Sequence, residues 1–454
     1  MQGLLNVIQY IVDLGAAVML PIVIFILGII FKQGVGKSLK AGLTIGVGFI
    51  GIGLVVDLLN KNLGPAAQAM AERFNLNLSV IDLGWPGTSP FAWASDMGLV
   101  AIPVAILVNV VMIALKQTRV VNVDIWNIWH MAFTGAIVRV ATGSYALGIL
   151  GVAVHAAIAY KFGDIYRDVT DDYFGLEGIA IPHGTSSYMG VFAKPIDDLL
   201  DKIPVIKDIK IDGDTLDEKL GYVGDPTVMG AILGLIIGML AGYDIPNALL
   251  LAVQMSAVML LMPMVVKFIM QGLMPISDAA KEILDKRYEG KGYAIGMDPA
   301  LLLGDSQVIA AGLLFIPITI LIAAIVPGNR VLPFGDLATI GFFIAMAVAI
   351  HGGNIFRTLF SGSFIMFITI WISNQMVELQ TQLGINVGLV EQGHLVGSLD
   401  QGGSPITYVL AKGLNKEFTV GLLVIFVLYV AAFAYTYISY KKKTLNKNNE
   451  LIEE

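Results

Sequence analysis

The sequence predicts an all-α integral membrane protein with about eleven transmembrane helices. Hydrophobic residues make up 56% of the 454 residues and charged residues only 14%, whereas soluble domains carry about a quarter charged residues. The mean hydropathy is +0.77. A soluble chain could not cover this much apolar surface with polar groups, so the lipid bilayer is the expected solvent.

Long apolar runs define the expected spans. A hydrocarbon core about 30 Å thick requires about 20 mostly apolar helical residues. No cleavage pattern follows the first run, which we therefore expect to remain as the first helix. The runs are Ile11–Phe31, Ala41–Leu59, Met97–Leu115, Ile125–Ala141, Tyr145–Ala159, Val228–Ala241, Ile245–Val266, Val308–Val326, Leu337–Ile350, Phe356–Met376 and Thr419–Tyr440.

Basic residues in the connectors predict the orientation. Lysine and arginine are enriched in cytoplasmic loops, so the connector with Lys32, Lys37 and Lys40 should lie inside and the N-terminus outside. Counting spans from there also places the other basic clusters and the C-terminus inside. These clusters are Lys116/Arg119, Lys161/Arg167, the stretch with Lys281, Lys286, Arg287 and Lys291, and Lys441–Lys443.

A weak internal repeat divides the chain into two halves. At a shift of 210 residues, Val18-Met19 matches Val228-Met229, and Leu63 and Pro65 match Leu273 and Pro275. Each half would hold five spans, and an odd number of spans makes the second repeat inverted in the membrane, as in many transporters. Chance similarity between apolar segments is the alternative explanation. The repeats would cover residues 1–210 and 211–417, followed by a last helix at 418–440 and a cytoplasmic tail at 441–454.

One stretch in each half resembles an amphipathic helix on the membrane surface. In the segment 64–77, Ala66, Met70 and Phe74 recur at helical spacing while polar residues lie elsewhere. The segment 275–288 has a similar character. We expect a structural role for both.

Four segments combine glycine, proline and hydroxyl residues with apolar neighbours. Non-helical backbone at membrane depth is tolerated only where protein or a water-filled cavity satisfies its polar groups. We therefore expect re-entrant hairpins that line a substrate site, with ordinary surface connectors as the alternative. The segments are Leu83–Ser95, Glu177–Gly190, Gly296–Ser306 and Leu399–Val409.

Ionisable groups inside apolar segments are costly and therefore mark candidate functional sites. Asn127, His130 and Thr134 share one helix face, and Trp126 or Trp129 could supply an aromatic surface. Such a face suits a neutral polyol, whose hydroxyls need hydrogen-bond donors and acceptors. A histidine that only bonds between helices is the alternative for His130.

Further candidates lie in or beside the hairpins. Glu177 and His183 flank one hairpin, Asp305 follows another, and Asp400 and Gln401 open the last. Carboxylates could accept hydrogen bonds from a polyol or act as a base toward its hydroxyl. The alternative for Asp305 is to cap the helix that follows.

His351 and Asn354 lie at a helix end that should face the cytoplasm, where the alternatives are a gate or capping role and contact with the substrate. No motif indicates a metal, a cofactor or nucleic-acid binding. The histidines lack metal-ligand spacing, no phosphate-binding GxxxxGK[ST] motif occurs, and the chain has no cysteine.

At VDIWNIWHMAFTG, EGIAIPHGTS, LPFGDLATIGFFIAMAVA and LDQGGSPIT the chain resembles the galactitol-type C component of the bacterial phosphoenolpyruvate-dependent phosphotransferase system, in the ascorbate–galactitol superfamily. The resemblance runs along nearly the whole chain. It implies a homodimer in the bacterial inner membrane, in which a mobile core moves elevator-fashion against a static scaffold. Each half would then divide into scaffold helices (11–59 and 222–268), the surface helix, and core helices with hairpins (83–200 and 296–412).

The resemblance also implies group translocation. The polyol, which we expect to be galactitol, would bind outside and receive phosphate inside from a phosphocysteine on a separate B subunit. An A subunit would charge that B subunit. Because this chain has no cysteine, it cannot itself be that donor, and whether to class it as an enzyme stays open. The superfamily's sugar site maps onto Ser89, His130, Thr134, His183, Asp305 and Gln401. A proton- or sodium-coupled secondary transporter is the alternative function.

Overall fold

The computed structural model describes residues 16–30, 32–74, 78–122, 124, 126–176, 178–211, 225–288 and 293–453. The first half contains α1 (Ala16–Ile30), α2 (Val35–Phe74), β1 (Val80–Asp82), α3 (Gly84–Ala94), α4 (Gly98–Ala114), β2 (Val120–Asn122), α5 (Ile128–Thr142), α6 (Tyr145–Ile165), α7 (Arg167–Phe174), β3 (Ile179–Ala180), α8 (Ser186–Met189) and α9 (Ala193–Leu200). The second half contains α10 (Pro226–Ala241), α11 (Ile245–Tyr288), β4 (Ala294–Gly296), α12 (Ser306–Ile325), β5 (Val331–Leu332), α13 (Gly341–Ile350), α14 (Ile355–Gln375), α15 (Val377–Asn386), β6 (Val396–Gly397), α16 (Pro405–Leu414) and α17 (Val420–Glu453).

The fold is predominantly helical and contains several membrane-length helices, which confirms an all-α membrane protein. Six helical segments in the described residues are long and apolar enough to cross a bilayer, and α3 with α4, bent by 90° at their junction, could form a seventh span. The six are Val35–Ala66, Tyr145–Ile165, Ile245–Ile269, Gln307–Ile325, Ile355–Gln375 and Val420–Lys441.

The count of eleven spans is not confirmed, and helix length is the reason. At a rise of 1.5 Å per residue, a helix of about 15 residues is only about 22 Å long, less than the hydrocarbon thickness. Helix α5 has 15 residues, α10 has 16 and α13 has 10. Apolar sequence placed these helices correctly, but each is shorter than a straight span across the hydrocarbon core requires.

Two long helices join segments that the sequence had separated. Helix α2 continues without a break through 64–74, so the predicted surface helix is the end of a 40-residue helix, and residues 75–77 lie outside the described residues. Helix α11 likewise continues through 275–288. Helices α1, α2, α10 and α11 pack most extensively on one another.

Glycines allow the close packing of α10 on α11. A Cβ atom built at Gly230 would lie 2.6 Å from the carbonyl oxygen of Met255, and one at Gly234 would lie 2.7 Å from that of Leu251. Small residues spaced four apart bring helix backbones together where no hydrophobic force drives their association. Any larger side chain at these positions would separate the two helices.

Two small parallel sheets link the halves of the chain. One has the strand order β5-β1-β6 and the other β2-β4-β3. Exchanging the halves, so that β1 replaces β4, β2 replaces β5 and β3 replaces β6, converts one order into the other. Each central strand therefore pairs only with strands of the other half, as in the pairing of Val80 with Val331 and of Val120 with Ala294.

Candidate functional site

The third strands of the two halves lead into one buried site. His183 follows β3 and Asp400 follows β6, each at the third position beyond its strand. Both side chains approach His130 on α5. The His183 and His130 ring centroids are 4.2 Å apart, and Asp400 Oδ2 lies 3.8 Å from His130 Nε2. The two strand ends thus bring together residues that are more than 200 positions apart in the chain.

Three histidines form the centre of this site. The ring of His155 on α6 lies 6.5 Å from that of His130, and all three rings are buried. The Nδ1 atom of His183 accepts hydrogen bonds from the backbone N–H groups of Thr185 and Ser186 at 3.3 and 3.2 Å. Its proton therefore lies on Nε2 when the ring is neutral.

A chain of hydroxyl groups crosses from one half to the other. The Thr134 hydroxyl lies 2.7 Å from His155 Nδ1 and 2.8 Å from the Thr407 hydroxyl. All three side chains are buried. These bonds fix the orientation of the His155 ring and leave its Nε2 atom facing the site.

The segment after β6 is tied to the segment after β3 by polar contacts. The Thr185 hydroxyl donates a hydrogen bond to Asp400 Oδ1. The Gln401 amide nitrogen donates to the Thr185 hydroxyl at 3.0 Å and to Asp400 Oδ1 at 3.1 Å. A Cβ atom at Gly184 would lie 2.9 Å from His155 Nε2, so only glycine allows the hairpin to approach this closely.

Several buried polar atoms around these residues have no hydrogen-bond partner in the described part of the protein. Leaving such groups unpaired costs about 1–3 kcal/mol each, and in native proteins they need a specific explanation. A ligand with many hydroxyl groups would pair them. The atoms are Ser89 Oγ, Asn127 Nδ2 and Oδ1, His130 Nδ1 and Nε2, His155 Nε2, Ser186 Oγ and Gln401 Oε1.

Asp82 and Asp336 hold the strand ends in place. Asp82 accepts hydrogen bonds from the backbone N–H groups of Phe334 and Asp336, both at 3.0 Å. Asp336 Oδ2 accepts from the N–H groups of Leu399 and Asp400, both at 2.9 Å. Both carboxylates are fully buried. They therefore position Asp400 and Gln401 through the backbone rather than facing the site themselves.

Asp305 has the capping geometry that the sequence left as an alternative. Its Oδ1 atom accepts from the N–H groups of Gln307 and Val308 at 3.0 Å each and from the Tyr173 hydroxyl at 3.2 Å. None of these contacts of Asp305 involves one of the three histidines, Asp400 or Gln401. Its expected role in substrate binding is therefore a prediction without support from geometry.

His351 and Asn354 also occupy structural positions at a helix junction. His351 bonds Asp197 Oδ1 at 2.9 Å through Nδ1 and the Ser361 hydroxyl at 2.8 Å through Nε2. Asn354 caps α14 through the N–H of Phe356. The gate role expected for both stays a prediction, and Glu177 lies outside the described residues.

Sequence reasoning had not selected six residues that shape this site. A signal existed for His155, because an ionisable residue in an apolar helix is rare. Thr185, Ser186 and Thr407 lie within segments that were predicted to line a site, although they were not selected individually. The two aspartates gave no comparable signal, since such residues are common in turns and at helix ends. The six are Asp82, His155, Thr185, Ser186, Asp336 and Thr407.

The membrane-length helices and the buried polar site built from both halves define a multi-pass membrane transport protein. Comparison with known proteins makes the class more specific. A family model described as "PTS system sugar-specific permease component" (EIIC-GAT) matches residues 10–392. The chain belongs to this family of permease components of the phosphotransferase system, and it is a multi-pass inner-membrane protein.

Two relatives illustrate the similarity. The chain is 55% identical over 432 residues to the "PTS system galactitol-specific EIIC component" of Escherichia coli strain K12, covering 95% of this chain and 96% of the relative. It is 40% identical over 380 residues to a "Putative permease IIC component" of the same organism, covering 84% and 87%. The family match does not favour the ion-coupled transporter considered as an alternative.

Proposed function

We propose that this protein is the C subunit of a galactitol phosphotransferase system. It binds galactitol outside the cell and carries it to the cytoplasmic face, where a separate B subunit phosphorylates it. The main observation behind this proposal is the buried site. There, hydrogen-bonding groups from both halves of the chain lie without partners in the described residues. The relative that shares 55% identity is named for galactitol, which supports that substrate.

The chemistry of the site suits a neutral polyol. A hydroxyl group both donates and accepts hydrogen bonds, and the site offers both kinds of partner. The ring of Trp129 lies 4.1 Å from that of His130, and Phe342 stacks on His183 at 6.0 Å. Aromatic faces of this kind pack against the C–H groups of a sugar chain while the polar atoms bond its hydroxyls.

The phosphoryl donor belongs to another chain in this proposal. A phosphocysteine requires a cysteine, and this sequence has none. The partners are therefore a B subunit that carries the phosphocysteine and an A subunit that charges it. The role of this chain is to bind the polyol, to close it off from water and to present one of its hydroxyls at the cytoplasmic face.

Transport would occur by an elevator movement of a core domain against a scaffold. The two repeats, 1–210 and 211–417, would be inverted relative to each other. The exchange relationship between the two sheets supports a pair of equivalent halves. The mutual packing of α1, α2, α10 and α11 supports a separate scaffold bundle, and the site residues lie on other elements. The functional unit would be a homodimer.

The N-terminus would lie outside and the C-terminus inside. Lys161 and Lys441 both approach the ring of Tyr437, with Nζ 5.8 and 5.9 Å from its centroid. Lys161 also donates to the carbonyl of Gln117 at 2.9 Å, next to the basic connector at Lys116. Three basic clusters thus share one end of the molecule, which supports a common cytoplasmic face.

Uptake of labelled galactitol tests the function. Cells without their own galactitol C subunit would express this chain together with matching A and B subunits. We expect galactitol phosphate to accumulate, and no accumulation when the general phosphocarriers are deleted. Accumulation of free galactitol in the deletion strain would instead establish an ion-coupled transporter.

A further inference from the structure

A second polar cluster lies at the beginning of α5, next to the histidines. Trp85, Ser89 and Trp93 recur every four residues and so share one face of α3. Trp85 and Trp93 pack on Trp126, which precedes Asn127 at the start of α5. The ring centroids of Trp85 and Trp93 lie 6.3 and 6.2 Å from that of Trp126. We call these five residues the tryptophan cluster.

The tryptophan cluster contains five polar atoms without a partner in the described part of the protein. They are the indole nitrogens of Trp85 and Trp93, the Ser89 hydroxyl, and both amide atoms of Asn127. Ser89 is 0% exposed and Asn127 is 1% exposed. A buried indole N–H normally finds a hydrogen-bond partner, so two unpaired indoles in one cluster indicate a ligand. The cluster offers donors from the indoles, and donors and acceptors from the other two residues.

One residue of the cluster, Asn127, and one of the three histidines, His130, follow each other along α5. The backbone N–H of His130 donates to the Asn127 carbonyl at 3.3 Å, so these residues are one turn apart. From Asn127 to Thr134 the axial rise is about 10 Å. This length is comparable with that of an extended six-carbon chain and exceeds the width of a single sugar ring.

We propose that the tryptophan cluster holds one end of an open-chain six-carbon polyol whose other end lies among the histidines. The indole N–H groups and Asn127 bond the terminal hydroxyls, and the ring faces cover the C–H groups of the chain. The cluster thereby selects long acyclic polyols over shorter polyols and closed sugar rings. This inference rests on the proposed function, because it concerns the same bound polyol.

Binding of galactitol to the purified full-length protein in detergent tests the inference. Trp85→Phe and Trp93→Phe keep an aromatic ring but remove the N–H group, and Ser89→Ala removes the hydroxyl. We expect each to weaken galactitol binding about tenfold, the effect of one lost hydrogen bond to a buried ligand. Trp371→Phe is the matched control, since Trp371 packs on Tyr408 at 5.8 Å. The affinity of the Trp371→Phe protein for galactitol should equal that of the unmodified protein.

Galactitol lacking one terminal hydroxyl provides a second test. Removing the hydroxyl from either end gives mirror-image compounds, and both are measured. One of them should bind the unmodified protein and the Trp85→Phe and Trp93→Phe proteins with equal affinity, because the lost hydroxyl is the partner of the lost N–H. If the indoles had a purely structural role, Trp85→Phe and Trp93→Phe would weaken the binding of galactitol and of both compounds to the same extent.

Two outcomes separate this inference from the proposed function. Tight galactitol binding by the unmodified protein with unchanged affinity in all three cluster variants overturns the inference and leaves the function intact. The absence of galactitol binding to the unmodified, monodisperse protein overturns the proposed function and the inference with it.

Discussion

The hydroxyl groups of Thr134 and Thr407 lie 2.8 Å apart, although 273 residues separate them in the chain. Thr134 belongs to the first half and Thr407 to the second. Thr134 also contacts His155 Nδ1 at 2.7 Å. The contact therefore joins the two halves at the site and orients a histidine there.

Replacing Thr134 by valine should weaken galactitol binding about tenfold. The change keeps the side-chain volume but removes both hydrogen bonds, each contributing about 1 kcal/mol, and frees the His155 ring to reorient. Equilibrium binding to the purified protein measures the effect. Thr142→Val is the control on the same helix, because its hydroxyl contacts only local backbone in the described residues: it donates to the Val138 carbonyl at 2.7 Å and accepts from the Ser144 N–H at 3.2 Å. Equal affinity in both variants would show that the hydroxyl chain does not shape the site.

Gln401→Leu should reduce galactitol affinity by about tenfold or more. The amide bonds Thr185 and Asp400, and its Oε1 atom is available to a ligand. An apolar side chain removes these bonds and leaves buried groups unpaired. Gln382→Leu is the control, since Gln382 is exposed and bonds only Asn386 within α15. Unchanged affinity in Gln401→Leu with normal folding would remove this hairpin from the site.

Asp336→Ala should lower the free energy of unfolding by at least about 2 kcal/mol. The backbone N–H of Trp85 and the Ser398 hydroxyl lose their acceptor, and each buried unpaired group costs about 1–3 kcal/mol. Thermal unfolding in detergent measures the change. The exposed Asp57 pairs only with Lys61 at 3.2 Å, and Asp57→Ala should shift stability by less than about 0.5 kcal/mol. Similar stability in the two variants would contradict the positioning role of Asp336.

Asp305→Ala and Asp305→Asn distinguish capping from substrate recognition. Alanine removes the cap of α12 and should cost about 1 kcal/mol, whereas asparagine caps about as well as aspartate. We therefore expect Asp305→Asn to keep both the unfolding temperature and galactitol uptake. Normal stability with lost uptake in Asp305→Asn would assign Asp305 to recognition.

The stability of the protein should depend on pH through Asp197, which lies outside the candidate membrane spans. Burial alone would raise the pKa of Asp197, but the hydrogen bond and charge of His351, together with Arg357 and Lys194, hold the pKa at about 2, below the ordinary value of 3.8. The unfolded chain thus binds this proton more tightly than the folded one. The stabilisation is complete above about pH 4 and is lost as the pH falls from there through about 2.

Unfolding temperatures measured between pH 6 and pH 2 test this dependence. Asp197→Asn should be less stable than the unmodified protein at pH 6, and the difference should shrink below about pH 4. A difference that stays constant over the whole range would show that the ionised Asp197 contributes nothing through these contacts.

Apolar periodicity was sufficient to locate most helices in advance. The predicted run Phe356–Met376 is observed as Ile355–Gln375 and Tyr145–Ala159 as Tyr145–Ile165, because a bilayer-length apolar run admits few other structures. The strands were not predicted. Each has only two or three residues, which is too short for alternation to be visible.

Local sequence also found part of the candidate site. Asn127, His130 and Thr134 were predicted to share a face because helical spacing alone brings them together, and all three are buried there. Local sequence did not identify the residues that contact these three side chains in the folded protein. Thr407, for instance, has no local feature that distinguishes it from any other threonine near a helix N-terminus.

The membrane environment, the positions of most helices and the polar face of α5 follow from the order of residues alone, because they depend on composition and on contacts between near neighbours. Which polar groups meet is known only from the folded protein. The pairing of β1 with β5 and β6, and the bond from the Leu399 N–H to Asp82, join residues more than 200 positions apart, while the bond from the Asp400 N–H to Asp336 joins residues 64 positions apart. Such contacts form because buried polar groups must find partners, and a linear pattern does not say which partners those will be.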